Sequence, residues 1–237
     1  MQLINGECLE EMKNLPDSSV DIIVADLPYG RFKHLEWDKP IDLEKLWKQI
    51  WRVCKPRTPV FLFGDMLFGV KLINSQPKYF KYEIVWNKNK STTPLLSKKR
   101  LGKATEYVFV FYKSQPVYNY EKYHKVLKRE KPYFNGSVVG AEKVKKQTNY
   151  YLPHLPLNVF ECPMMRKGKT ISHITEKPQN LLEFLLKYFS NEDDVCLDMT
   201  MGSGSTGVAS HNLKRKFIGI EVDTNHFNAA KQRIDNL

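Results

Sequence analysis

Asp198-Met199-Thr200-Met201-Gly202-Ser203-Gly204-Ser205-Thr206-Gly207 is the stretch that decides the fold. It follows a short apolar run, Val195-Cys196-Leu197, and opens residues 205–213, which read as a helix. Residues 202–207 fit Gly-x-Gly-x-x-Gly, a pattern that is weak alone and informative in a strand–turn–helix setting. Glycines let the backbone approach a ligand, and a helix start offers it free N–H groups. Glu221 ends the next apolar run, Phe217-Ile218-Gly219-Ile220, where a carboxylate can accept hydrogen bonds from ribose hydroxyls. A phosphate-binding loop that continues into Lys-Ser/Thr is excluded, because Val208-Ala209 follow Gly207.

Only one more strand and one more helix follow this turn; the helix spans residues 224–234, capped by Asp223 or Thr224. A nicotinamide-type domain needs further strand–helix units downstream, so N-terminal strands are expected to complete the sheet. Residues 20–25, 59–63, 82–86 and 106–112 read as those strands. Residues 43–53 have apolar positions at helical spacing, and 178–189 read as a helix with Pro178 in its first turn. The expected fold class is therefore α/β: a circularly permuted, Rossmann-like, mostly parallel sheet with helices on both faces. Between 114 and 172 periodicity weakens, and Gly, Pro, Asn, Lys and Tyr dominate. Residues 1–113 and 173–237 are expected to form the core, and 114–172 an irregular insertion.

The net charge of +11 sits in one place. Residues 86–172 hold 18 Lys/Arg against 5 Asp/Glu, a net of +13, leaving −2 for the rest of the 237-residue chain. They also hold 13 of its 29 aromatic residues, so phosphate-neutralising cations are interleaved with faces on which bases can stack. The candidate nucleic-acid contacts are Lys88, Lys98, Lys99, Arg100, Lys143, Lys145, Lys146, Arg166 and Lys167, beside a further run, Lys128-Arg129-Glu130-Lys131. No run is long and apolar enough to span a bilayer, and the first residues lack a secretory pattern. Cys8, Cys54, Cys162 and Cys196 are too scattered for a zinc or redox motif, so free thiols in a reducing cytoplasm are expected and no metal site is.

Asp26-Leu27-Pro28-Tyr29-Gly30 follows the strand at 20–25. A carboxylate and an aromatic ring on a Pro-stiffened turn put one acceptor beside one stacking face, which suits a planar, amino-bearing ligand. Together with the glycine turn, it resembles the amino-methyltransferases of DNA, whose catalytic motif is Asp-Pro-Pro-Tyr and whose cofactor motif is Asp-Pro-Phe-x-Gly-x-Gly. Catalytic motif first, insertion next and cofactor motif last resembles the β class of that family. Gly6-Glu7-Cys8, Glu106-Tyr107-Val108 and His173-Ile174-Thr175-Glu176-Lys177-Pro178 resemble further family elements. The departures are Leu27 for the first Pro, Met199-Thr200 for Pro-Phe, and Ile174 and Glu176 for Pro and Gln.

The resemblance implies an S-adenosylmethionine-dependent DNA adenine-N6 methyltransferase acting on a flipped-out base of double-stranded DNA. Asp26 and the Leu27 carbonyl would accept from the target amino group, with Pro28 shaping the turn and Tyr29 stacking on the base. It implies that the cofactor lies across Asp198, Met199, Thr200, Gly202, Gly204, Ser205 and Thr206, with Glu221 on its ribose, Glu7 and Cys8 near its adenine, His173, Thr175 and Lys177 near its methionine part, and Asp26 beside its methyl. A cytosine-N4 enzyme, a non-catalytic DNA-binding member and an RNA methylase are the alternatives. The resemblance further implies a prokaryotic or phage cytoplasmic protein, a restriction–modification setting, and a homodimer as the candidate assembly.

Overall fold

The computed structural model describes residues 1–30, 39–96, 98–123, 127–132, 146–151, 156–163 and 176–237. In chain order the strands are β1 (Gln2–Asn5), β2 (Ile22–Ala25), β3 (Val60–Gly64), β4 (Phe80–Asn87), β5 (Thr105–Phe111), β6 (Leu127–Pro132), β7 (Lys146–Tyr151), β8 (Val159–Glu161), β9 (Val195–Asp198) and β10 (Lys216–Glu221). The helices are α1 (Cys8–Glu11), α2 (Leu43–Val53), α3 (Met66–Ser75), α4 (Tyr120–Tyr123), α5 (Gln179–Phe189), α6 (Ser205–Asn212) and α7 (Thr224–Asp235).

Eight strands form one sheet in the order β1-β10-β9-β2-β3-β5-β4-β8. All pairings are parallel except those of β5, which runs against both β3 and β4. The antiparallel strand follows from its connection: β5 returns directly from β4 as a hairpin and needs no crossover helix. The permuted order is present, since β9 and β10 sit between β1 and β2 although they come last.

The central strands are apolar on both faces, as a covered parallel sheet requires. In β2 and β3, Ile23, Ala25, Val60 and Leu62 point into the core cluster with Met12, Trp47, Ile50, Leu72 and Phe111. Their neighbours Phe61 and Phe63 are equally buried, and the Phe61 ring lies 5.0 Å from that of Phe189 on α5, tilted by 58°. Each such side chain contributes about 1.5–3 kcal/mol of burial. Asp42, Asp65 and Asp223 cap α2, α3 and α7 by accepting backbone N–H groups.

The sequence pattern marked none of β1, α1, α3, α4, β6, β7 and β8. β1 is only four residues long, with alternating partial exposure. Helix α3 lies in a nearly continuous apolar stretch where only the cap Asp65 marks a start. β8 is three residues long; it lies within 114–172 yet pairs with β4 in the main sheet, where the Trp86 indole N–H donates to the Cys162 carbonyl at 2.7 Å. Asn119–Leu157 forms a compact unit of its own. It is not wholly irregular as expected, because β6 and β7 pair antiparallel from Leu127↔Tyr151 to Pro132↔Lys146. The sequences Leu-Lys-Arg-Glu-Lys-Pro and Lys-Gln-Thr-Asn-Tyr-Tyr have no apolar alternation to announce them. Among the described residues, no helix is long and apolar enough to cross a membrane.

Candidate functional site

Connections leave β9 and β2 in opposite directions, so these adjacent strands bracket the topological switch point. Ligands bind at the carboxyl ends of strands at such points. The Asp198 turn and the Asp26 turn both emerge there. The Thr200 hydroxyl donates to the Asp26 carbonyl at 3.0 Å, joining the two motifs directly. Thr200 stands where the family motif has Phe, so this departure gives a motif-to-motif hydrogen bond in place of a ring.

The glycine turn is held from β10. The Glu221 carboxylate accepts from the Gly202 and Asp223 N–H groups at 2.9 Å each, and Met201 N–H donates to the Ile220 carbonyl. Gly202 has φ +50° and open space where a Cβ would stand, a place for a ligand to approach backbone. Gly204 has φ +75°, and a Cβ there would lie 3.1 Å from both Ala230 and Ile234. Gly204→Ala is expected to destabilise the fold by about 2 kcal/mol, readable as a lower urea midpoint. No side chain caps α6 at Gly204, so its first N–H groups face the turn without that partner. Ser205 and Thr206 are buried at its start, and Met199 packs into the core.

Asp198 is buried at the end of β9. Its carboxylate accepts from Thr200 N–H at 3.1 Å and is hydrogen-bonded by Thr206. Burial, with the nearby Asp26 and Glu221 charges, pushes it up to about 7 despite those bonds. The unfolded chain ionises this carboxyl near pH ~4, so its unfavourable burial grows between pH ~4 and ~7. Asp198→Asn is therefore expected to gain stability relative to the wild type across that window and level off above it. Urea unfolding from pH 4 to 8 reads this; a pH-independent difference would refute it.

β1 brings Glu7 and Cys8 to the same edge, because Gly6 N–H and the Asn5 amide both donate to the Glu221 carbonyl. Glu7 is exposed and caps α1, accepting from Glu10 N–H. Cys8 is buried beside it, and burial followed by the Glu7 charge pushes its thiol up to about 12. It remains a neutral thiol rather than a nucleophilic thiolate. All four cysteines are free.

The Asp26 turn is built around ion pairs. Lys177 Nζ lies 2.5 Å from Asp26 Oδ2 and 2.9 Å from Glu106 Oε1. Lys88 Nζ lies 2.6 Å from Glu106 Oε2 and 4.4 Å from the Trp86 ring. The Tyr29 hydroxyl donates to Asp26 Oδ1 at 2.7 Å, and its ring lies 4.9 Å from that of Phe68. Leu27 is buried, so the residue in the motif's first Pro position serves the core. Burial works against both central charges, but their partners outweigh it: Glu106 is lowered to about 2, and Lys177 is held above its ordinary range.

Two expectations change. Lys88, read as a phosphate contact, is mostly buried in an ion pair. Lys177, read as a contact of the cofactor's methionine part, grips the Asp26 carboxylate. Glu106 joins them and was given no role; its signal was a carboxylate opening an otherwise apolar strand. Glu176 is paired with Arg233 on α7 at 2.6 Å. Lys98, Lys99 and Arg100 are exposed between β4 and β5. Only the backbone of Lys146 is described, and His173, Thr175, Lys143, Lys145, Arg166 and Lys167 lie outside the described residues.

A glycine turn and a carboxylate–tyrosine turn meet, hydrogen-bonded, at the switch point where an α/β sheet binds its ligands. The DNA methylase family profile of the N6/N4 type matches residues 20–232, and the chain belongs to that family. It is 28% identical over 246 residues to the DNA adenine methyltransferase YhdJ of Escherichia coli K12, covering 98% of this chain and 82% of that one. Among solved structures, the M1.HpyAVI–SAM complex superposes with a TM-score of 0.64 at 27% identity, covering 98% of each chain. The cytosine-N4-specific PvuII DNA methyltransferase superposes with a TM-score of 0.73 at 16% identity, covering 98% of this chain and 85% of that one, a likeness of fold.

Proposed function

We propose that this protein transfers the methyl group of S-adenosylmethionine to the exocyclic N6 of an adenine flipped out of double-stranded DNA. The observation that carries it is the Thr200–Asp26 hydrogen bond, which fixes the glycine turn against the Asp26-Leu27-Pro28-Tyr29 turn at the switch point. The residues present suit this cofactor. Open space beside Gly202 and the uncapped start of α6 admit it, and Glu221, which holds the Gly202 N–H at 2.9 Å, is the acceptor assigned to its ribose hydroxyls. The buried Asp198 carboxylate favours a cationic ligand. When bound, the cofactor supplies an electrophilic methyl on a sulfonium.

An exocyclic amino nitrogen is a poor nucleophile, because its lone pair is delocalised into the ring. Acceptors on its hydrogens favour a pyramidal nitrogen, and rigid placement supplies much of the remaining acceleration. Lys177 immobilises Asp26 Oδ2, leaving Oδ1 and the Leu27 carbonyl to take the two amino hydrogens. The Tyr29 hydroxyl holds Oδ1 in this structure, so the base and Tyr29 compete for it; on leaving, the ring is free to stack on the base. Transfer would form the N–C bond as the methyl–sulfur bond breaks and the neutral thioether leaves; the proton then lost from nitrogen would pass to Asp26, whose side chain is 28% exposed, and on to water.

Asp26, together with the adenine-specific name of the E. coli relative, supports N6 over cytosine N4. The basic residues of 86–172 other than Lys88, with the compact unit Asn119–Leu157, are assigned to DNA binding and target recognition. Incubation with methyl-labelled cofactor and duplex DNA, followed by nucleoside analysis, is expected to place the label in N6-methyladenine. Label in N4-methylcytosine alone would overturn the adenine assignment. Preferential labelling of RNA would overturn the DNA assignment.

A further inference from the structure

Residues 88–104 join β4 to β5 and leave the sheet at its carboxyl end, the end at which β2 and β9 lead into Asp26 and Asp198. We propose that the tip of this hairpin, through Leu95 and Leu101, is an apolar wedge that enters the base stack and holds open the gap left by the target base. The inference rests on the base-flipping reading above.

The neck of the hairpin is tightly made. Lys88 N–H donates to the Ala104 carbonyl at 2.8 Å, and Thr92 N–H to the Lys103 carbonyl at 2.7 Å. The Thr92 hydroxyl donates to the same Lys103 carbonyl at 3.0 Å, and Lys103 N–H to the Thr93 hydroxyl oxygen at 3.1 Å. A Cβ on Gly102 would lie 2.4 Å from Ser91 Oγ, so the two arms touch there. The tip is also closed on itself: Leu96 N–H donates to the Thr93 carbonyl, and Lys99 and Arg100 N–H groups donate to the Leu96 carbonyl. On this stiff support Leu95 and Leu101 are each 95% exposed.

Single exposed leucines are common on protein surfaces. Two of them on a pinned tip, flanked by Lys90, Lys98, Lys99, Arg100 and Lys103 with no carboxylate between 88 and 105, fit a polyanion whose interior is apolar. Stacked bases inside a phosphate backbone have that chemistry, and apolar side chains inserted at base steps are a known way to unstack them. The stem ties the hairpin to the reacting group. Lys88 pairs with Glu106, Glu106 with Lys177, and Lys177 with Asp26. The wedge and the acceptor of the flipped base therefore share one rigid frame, which favours DNA over a membrane surface as the occupant.

The test is the double variant Leu95→Ser with Leu101→Ser, exposed positions whose change leaves the core intact. Methylation is compared on a paired duplex and on the same duplex with an abasic site opposite the target, where no pair has to open. The variant is expected to lose roughly ten-fold in kcat/KM on the paired duplex and almost nothing on the abasic one. Equal loss on both, or no loss, would overturn the wedge. Permanganate reactivity of thymines in the bound duplex reports unstacking without methyl transfer, so it tests the wedge even if no methylation is seen. The wild type is expected to raise it and the variant to leave it at the free-DNA level. Unchanged unstacking, with lost binding to anionic vesicles or a lost dimer, would assign the leucines to a membrane or a second copy instead.

Discussion

Asp26→Ala is expected to lower kcat for methyl transfer by roughly 10²–10³-fold, the usual loss when a preorganised electrostatic contact to the reacting group is deleted. Removing the carboxylate takes away the acceptor that holds the amino nitrogen in line. It leaves the Leu27 carbonyl, the Tyr29 ring and the glycine turn in place. The fold survives, because Lys177 keeps Glu106 as its partner at 2.9 Å. The Thr200 hydroxyl donates to the Asp26 backbone carbonyl, which the substitution retains. Cofactor affinity, measured by calorimetry, and duplex affinity, measured by anisotropy, are both expected to stay close to wild type. Loss of cofactor binding in parallel with rate would mean that the side chain serves the cofactor rather than the target base.

Lys177→Met is the second large effect, and it separates two roles. A contact to the cofactor's methionine part would raise the cofactor's dissociation constant. A residue that positions Asp26 would lower kcat and leave that constant nearly alone, and the 2.5 Å contact favours this outcome. The loss is expected to be smaller than that of Asp26→Ala, and Lys177→Arg should restore part of it. Stability is expected to fall by about 3 kcal/mol, the low end for breaking a buried pair, since Lys88 still neutralises Glu106 and Asp26 is reachable by water. The pH dependence has a definite sign. Glu106 is lowered to about 2, so its contribution is complete above pH ~4.3 and fades as pH falls toward 2. Lys177 is raised, so its contribution is complete below pH ~10.4 and fades only above that. The wild-type advantage over Lys177→Met should thus be flat between pH ~5 and ~10 and shrink on either side. Urea midpoints across that range check it.

The two functional turns were legible in the sequence because backbone geometry dictates their composition. A left-handed turn before a helix calls for glycine, and Gly202 and Gly204 have φ of +50° and +75°. The permuted order was legible because the Asp26 turn precedes the Gly202 turn in the chain. What could not be read was pairing between distant charges. Nothing near Lys88 in sequence marks Glu106 as its partner, and a lysine inside a basic segment reads as solvated until the fold shows it mostly buried. Lys177 and Asp26 are 151 residues apart and meet only because α5 packs against β2. The hairpin of β6 and β7 was hidden for a different reason: its strands are polar, so period-two hydrophobicity was absent.

The insertion of β9 between β1–β10 and β2 has a consequence for synthesis. On the ribosome, β2 emerges early and can pair with β3, but its other edge waits for β9, which pairs Ile22 with Cys196. At about 5–20 residues per second that wait is roughly 10–30 s. Throughout it, the apolar run Ile22-Ile23-Val24-Ala25 presents an unpaired edge that other chains could extend. Closure of the sheet is a late, long-range event, so folding should be slow for the chain's size. Helper chaperones should raise the yield of active protein more than they raise the activity of each folded molecule. The junction of the Asp26 and Gly202 turns is among the last features to form, and a truncated nascent chain that already carries Asp26 has neither its lysine nor its glycine turn.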